Sequence, residues 1–321
     1  RLNKIQTSLV LFSAYSYLYT AQFRTMFSVI VCSVDPAAAE ALRENVAQTI
    51  GVPFEWLACD NRRAPRGICA VYNALARQAR YDCLCFVHED VRFRTEGWGR
   101  LLAAELAQPR CGVIGFAGGV VKTRGITGWC LDGDDARTHY AQPDAGDRMR
   151  RYDRNPAGEA FSRVVCLDGF CLAAPRAVWA AAPFDEALLG GFHGYDLDFT
   201  LAAARCFDNR VCHTVEVEHR SAGCYTRAWR EALEAVHAKW RDELPRFVGP
   251  APSQRTVRAC ERRAEALWWR KLMRLGLCGR RESLGAALRF VVRHPLRAEA
   301  WTLLCKWVRY RIVRTKPQSN G

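Results

Sequence analysis

The apolar run Cys83-Leu-Cys-Phe-Val87 ends abruptly in His88-Glu89-Asp90. Such a run reads as a buried strand, and carboxylates at the C-terminal end of a strand in an α/β sheet stand where ligands bind. Adjacent acids there repel each other and lose solvation, so they call for a positive partner. A hard divalent cation fits, because Mg²⁺ and Mn²⁺ take oxygen ligands and bridge to substrate phosphates. The alternative is a solvated turn between strand and loop. Further acids and histidines along the chain weigh against it: Asp60-Asn61, Asp168-Gly169, Tyr195-Asp196-Leu197-Asp198 and Glu218-His219.

These groups need elements to position them. Phe27-Ser-Val-Ile-Val-Cys-Ser33 reads as a strand, and Asp35-Pro36 then opens a helix to Ile50; Pro in the first turn behind an Asp is a helix-start signal. Phe54 to Cys59 is a second strand, ending at Asp60. Gly67 to Ala79 is a helix with Ile68, Val71, Tyr72 and Leu75 on one face. The strand to Val87 follows, then a helix around Trp98–Ala107 and a strand Gly112–Ala117. Alternation of this kind predicts an α/β fold with a mostly parallel central sheet flanked by helices. The early strands all end in polar residues, Ser33, Asp60, Glu89 and Asp90, which then share one edge and can share one ligand.

Residues 118–163 are rich in Gly, Asp and Arg with little apolar periodicity and read as long loops over the sheet, a usual place for substrate recognition. Trp129 there is an acceptor platform or a core-packing side chain. Val164 to Ala174 returns to strand character, interrupted by Asp168-Gly169, which is a bulge that lets an acceptor approach or only a turn. Gly190 to Asp198, with His193, Tyr195 and Asp196, opens a helix, and Val211 to Val217 is a strand ending in Glu218-His219.

Length, charge and cysteine content bound the function. At 321 residues the chain can bury a full core. The net charge of +14 is concentrated: residues 246–321 hold 18 Lys and Arg against 4 Asp and Glu, and residues 1–245 hold 29 of each sign. A nucleic-acid enzyme more often places its basic surface around the active site; no recognised nucleic-acid module is present, and none is expected as a partner. The basic stretch carries Trp268-Trp269, Trp301 and Trp307 at helical spacing. It reads as a helical extension that lies on an anionic membrane surface through residues 250–321 or packs on the domain. Fifteen cysteines without Cys-x-x-Cys spacing suit a reducing compartment, so the expectation is cytoplasmic, peripheral at the inner face of the plasma membrane. Residues 1–25 form an extension of uncertain status, an anchor or a non-native leader; residues 26–245 read as the catalytic domain and 246–321 as the extension.

The ordered set, strand-Ser33, strand-Asp60-Asn61, helix with Asn73, strand-His88-Glu89-Asp90, Leu167-Asp168-Gly169, Phe184-Asp185-Glu186, Tyr195-Asp196-Leu197-Asp198-Phe199 and Glu218-His219, resembles a GT-A-fold glycosyltransferase of the family 2 type. In particular it is similar to the bacterial branch with His-x-Asp in place of Asp-x-Asp. The resemblance implies a nucleotide-sugar donor, a UDP-sugar first, and a glycan or lipid-linked acceptor in surface polysaccharide or glycolipid assembly. It implies donor binding by Ser33, Asp60, Asn73, His88, Glu89 and Asp90. Acceptor contacts fall to Trp129, Asp168, Gly169, His193 and Tyr195. Asp90 and His219 become ligands of Mn²⁺ or Mg²⁺, and Asp196 the catalytic base of an inverting transfer. The chain departs from the family pattern at His88, where an acid usually stands, and at Tyr195, which replaces a Glu.

The chemistry of the residue types agrees. A metal neutralises the leaving diphosphate as a Lewis acid, and a separate carboxylate takes the proton from the attacking hydroxyl. Asp198 is a helix-start or supporting carboxylate. Two other readings stay open: a nucleotidyltransferase, although no Gly-rich loop with a Lys follows the first strand, and a non-catalytic nucleotide- or sugar-binding protein on the same fold. A Rossmann oxidoreductase is disfavoured, since Cys32-Ser-Val-Asp-Pro36 is not Gly-x-Gly-x-x-Gly.

Overall fold

The computed structural model describes residues 26–144, 146–221 and 223–310, so the expectation for residues 1–25 lies outside the described residues. The chain begins β1 (Phe27–Ser33), α1 (Pro36–Thr49), β2 (Phe54–Asp60), α2 (Ile68–Gln78), β3 (Cys83–Val87). Asp35 caps α1 by accepting from the N–H groups of Ala37 and Ala38, with Pro36 in the first turn. β1 lies between β2 and β3, parallel to both, in a register that pairs Ser33 with Asp60. All seven residues of β1 and all five of β3 are buried, as strands covered on both faces must be.

Next come β4 (Val91–Phe93), α3 (Trp98–Leu106), β5 (Cys111–Gly115), β6 (Ala117–Gly119), β7 (Val121–Lys122), β8 (Ala136–Pro143), β9 (Met149–Arg154), β10 (Phe161–Val164), β11 (Cys166–Leu167) and β12 (Cys171–Pro175). Then follow α4 (Arg176–Ala181), α5 (Tyr195–Ala203), β13 (Asp208–Cys212), β14 (Val217–His219) and α6 (Arg227–Trp240). The main sheet has seven strands in the order β10-β13-β5-β12-β3-β1-β2. β12 runs antiparallel to β3 and β5, and β10 antiparallel to β13, so three of the six pairings are antiparallel and the sheet is mixed, where a mostly parallel one was expected.

The expectation of long loops over 118–163 is corrected. That stretch builds most of a second sheet, β11-β6-β8-β14-β4, with β9 paired to β8. The hairpin escaped notice because its outer strand, Met149-Arg-Arg-Tyr-Asp-Arg154, is almost wholly exposed and carries no apolar alternation. Cross-strand pairs hold it instead: Tyr140 and Tyr152 face each other and stack with ring centroids 5.1 Å apart.

The basic extension contains β15 (Arg246–Phe247), α7 (Gln254–Leu275), α8 (Arg280–Arg293) and α9 (Ala298–Val308). It packs on the preceding domain. β15 pairs antiparallel with β7, the Trp268 ring lies 5.5 Å from that of Trp229, and Leu272, Phe290 and Leu303 join the main core cluster. The Glu261 carboxylate accepts from the N–H groups of Arg124 and Gly125, at 2.8 Å each. No helix among the described residues is long and apolar enough to cross a membrane.

Candidate active site

The parallel order β2-β1-β3 brings Ser33, Asp60 and the His88-Glu89-Asp90 turn to one edge. Asp60 is exposed, and a bond from Arg62 holds its carboxyl low, at about 2. The Ser33 hydroxyl is buried with no hydrogen-bond partner among the described residues. A buried hydroxyl without a partner is uncommon, and at this edge it suits a ligand group. Glu89 is spent on the backbone: its carboxylate accepts from the N–H groups of Val34 and Asp35, tying the β1–α1 loop to the β3 turn.

Asn73 is a correction. It lies inside the core, where its amide donates to the Phe184 carbonyl at 2.8 Å and accepts from the Trp179 indole at 3.0 Å and the Phe184 N–H at 3.2 Å. It joins α2 to the segment before α5 and does not reach the site.

The turn after β3 meets the end of β14. Antiparallel pairing of β14 with β4 sets His219 opposite Val91, and Asp90 accepts the Arg220 N–H through its carbonyl. His219 Nε2 therefore sits 3.6 Å from Asp90 Oδ1, a carboxylate oxygen that is buried and has no hydrogen bond. His88, Asp90 and His219 each direct a ligand atom into one space, all within 4.8 Å of one another. Two imidazoles and a carboxylate with an orphaned oxygen fit a divalent cation of the Mn²⁺ type. Burial and the neighbouring His219 pull His88 down to about 4, so its ring is neutral, as a ligand requires. Histidine where an acid usually stands thus keeps the donor count and lowers the site's negative charge.

Asp196 lines the same cleft as His88 and His219 from the first turn of α5. The helix opens behind Gly194, whose φ of +80° is a left-handed conformation that suits glycine. Tyr195 is buried, and its hydroxyl bridges His88 Nε2 at 2.7 Å and the Gly169 carbonyl at 3.0 Å. It braces the metal-side histidine, which its assignment as an acceptor contact did not anticipate. Gly169 is also reassigned: a Cβ there would lie 2.4 Å from the Tyr195 hydroxyl and 2.8 Å from the Asp196 Cβ. The missing side chain makes room for α5, not for an acceptor.

Burial and the negative field of Asp168 push the Asp196 carboxyl up to about 7. Burial also raises Asp168, whose carboxylate accepts from the Phe170 N–H at 3.3 Å. Asp198, 2 % exposed, is a supporting carboxylate, bonded by Lys239 at 2.8 Å and the Trp240 indole at 2.7 Å. His88, Trp129, Asp168, His193, Asp196 and His219 line a single cleft of about 410 Å³. Burial lowers His193 within it.

The profile of the family described as "Glycosyltransferase like family" matches residues 28–238, well over half of the chain. The chain belongs to this glycosyltransferase-like family. No curated protein matches it in sequence. Similar solved structures include GalNAc-T7 with UDP, GalNAc and Mn²⁺, at 11 % identity and a TM-score of 0.47, covering 91 % of this chain. The chain spans 57 % of that protein's length. Another is Staphylococcus aureus TarS 1–349 in complex with UDP, at 12 % identity and a TM-score of 0.47, covering 90 % of this chain and 82 % of that one. At those values the family match alone carries the assignment.

Two lysines near the cleft were not singled out in the sequence. Lys122 is fully buried and donates to the carbonyls of Thr127 and Gly128, at 2.7 and 2.8 Å, fixing the loop that presents Trp129. Its signal was a lone lysine in an apolar run, Val120-Val-Lys122. Lys271, from the extension, reaches the cleft wall and lies over the rings of Tyr225 and Trp229 at 3.9 and 4.5 Å.

Proposed function

We propose that this glycosyltransferase moves a sugar from a nucleoside-diphosphate donor, a UDP-sugar first, to an acceptor hydroxyl with inversion, and that it depends on a divalent cation. The observation that carries the reading is one cleft that holds two kinds of group. His88 and His219, which meet Asp90 in a single cluster, line it together with Asp196, a carboxylate raised toward neutrality. Asp90, His219 and His88 would hold Mn²⁺ or Mg²⁺, which when bound neutralises the diphosphate. Asp196 accepts the acceptor proton; a base titrating near neutrality is matched to that task. Asp60 and the partnerless Ser33 hydroxyl face the nucleoside. Tyr195 keeps the His88 ring in place, and Trp129, on the loop pinned by Lys122, forms the acceptor wall with His193.

The acceptor belongs to a surface glycan or a glycolipid, and the enzyme works against an anionic membrane. Supporting this, the α8–α9 corner exposes Val292 by 79 % and Leu296 by 97 %, beside Arg289, Arg293 and Arg297. Apolar wedges flanked by arginines suit an anionic lipid surface. The test is UDP release from a panel of UDP-sugars with Mn²⁺, followed by proton NMR of the new anomeric centre. Turnover of one donor with inverted configuration supports the proposal; retention of configuration would remove Asp196 from the role of base.

A further inference from the structure

A cavity of about 1440 Å³ lies between α6, α7 and α8. Carboxylates share its lining with the arginines: Arg230 pairs with Glu234 and Glu282, and Arg293 with Glu265. A second cavity of about 490 Å³ differs in kind. Four cations line it, Arg270, Lys271, Arg274 and Lys306, and among the described residues no carboxylate does. None of the four has an ion pair or a side-chain hydrogen bond among the described residues. Three come from α7 and one from α9, so the extension builds the charged wall. Aromatic side chains complete the lining: Trp129, Tyr225, Trp229 and Trp268.

This cavity opens into the active-site cleft. Gly128, Trp129, Tyr225, Trp229 and Lys271 line both. Lys271 stands where the two meet. Its ammonium is desolvated among rings and repelled by Arg274, which pulls it down to about 8. Four clustered cations with no carboxylate in the lining favour an anion, which each can meet with a charge-assisted hydrogen bond. Resting on the proposed transfer reaction, we propose that this cavity is an acceptor subsite for a phosphate ester. The acceptor's phosphate lies among Arg270, Lys271, Arg274 and Lys306, its sugar or polyol stacks on Trp129 and Tyr225, and its hydroxyl reaches Asp196. A phosphate dianion fits better than a carboxylate, because it offers three oxygens and more charge to several donors at once. A soluble glycan and a lipid headgroup both carry such a phosphate, and the recognition chemistry is the same.

The test is a tryptophan-fluorescence titration of the full chain in EDTA, without donor, using glucose 6-phosphate, glucose and glucuronate. Vesicles containing phosphatidic acid form a separate arm. We expect glucose 6-phosphate, or the vesicles, to bind at least about tenfold more tightly than the neutral and carboxylate sugars. Binding should weaken about tenfold or more in Lys271→Met/Arg274→Met and stay unchanged in Asp90→Ala. Arg270→Gln/Lys306→Gln, at the outer wall, gives the same weakening if the first pair fails to fold. Response to the soluble ester alone assigns a soluble acceptor; response to vesicles alone, lost in the variants, assigns a lipid phosphate. Equal affinity for glucose 6-phosphate and glucuronate, or full affinity in both double variants, overturns the proposal. A Mn²⁺-dependent UDP thermal shift is measured in parallel. Its absence would count against the donor reading and leave the anion cavity to stand on its own titration.

Discussion

Replacing Asp196 by Asn tests the base assignment through two independent readouts. An ordinary aspartate titrates at 3.8, and burial with the field of Asp168 raises this one to about 7. The folded state therefore holds the proton more tightly than the unfolded chain, and stability is lost as pH rises from 3.8 toward 7. Three units correspond to about 4 kcal/mol at most. Part of that is shared with Asp168, which titrates with it, so about 2 kcal/mol is the working figure above pH 7. Asn keeps the shape and the acceptor oxygen and removes the charge. The variant should melt several degrees above the parent at pH 8, at 2–4 °C per kcal/mol for a chain approaching this size, and level with it at pH 4. Transfer should fall by roughly 10²–10⁴ while UDP-sugar affinity holds. In the parent, the rate should rise with pH through an ascending limb near 7, not near 4. A variant that melts lower at both pH values while keeping transfer would refute the reasoning and make Asp196 a helix cap.

Other outcomes follow from the same geometry. Gly169→Ala places a methyl against the Tyr195 hydroxyl and the Asp196 Cβ. It should cost about 1–3 kcal/mol in urea melts and reduce kcat as α5 shifts. Asn73→Ala leaves the Phe184 and Trp179 groups unpaired in the core; stability should fall by roughly 2–4 kcal/mol, with UDP affinity unchanged by calorimetry. Leu296→Asp with Trp301→Ser should reduce co-sedimentation with phosphatidylglycerol vesicles and leave turnover of a soluble acceptor intact.

The parallel half of the main sheet could be read from the sequence because its strands are continuous apolar runs bounded by Asp35-Pro36, Asp60 and His88-Glu89-Asp90. Buried parallel strands look like that, and the acids at their ends mark the ligand edge. The β8–β9 hairpin could not be read the same way, since one face is solvent and its strands are held by pairing rather than by apolar alternation. Asn73 was misread for a related reason: a buried amide that satisfies backbone groups and an amide that meets a donor are the same letter. The approach of His219 to Asp90 depends on the β4–β14 register, and no local pattern encodes a register between strands so far apart in the chain. The docking of α7 on Trp229 and Tyr225 was one of two expectations for the basic extension. Lys271 in the cleft follows from it and from nothing local.

The most direct test of the central claim is a thermal-shift titration with UDP and UDP-sugars, with and without Mn²⁺, on the parent and on Asp90→Ala. At a hundred times the dissociation constant a ligand adds about 2.7 kcal/mol to stability. The account predicts a rise of that order with a uridine nucleotide only when Mn²⁺ is present, and its loss in Asp90→Ala. A nucleotide shift of equal size without metal, or one that survives in Asp90→Ala, would contradict a donor site built on Asp90, His88 and His219.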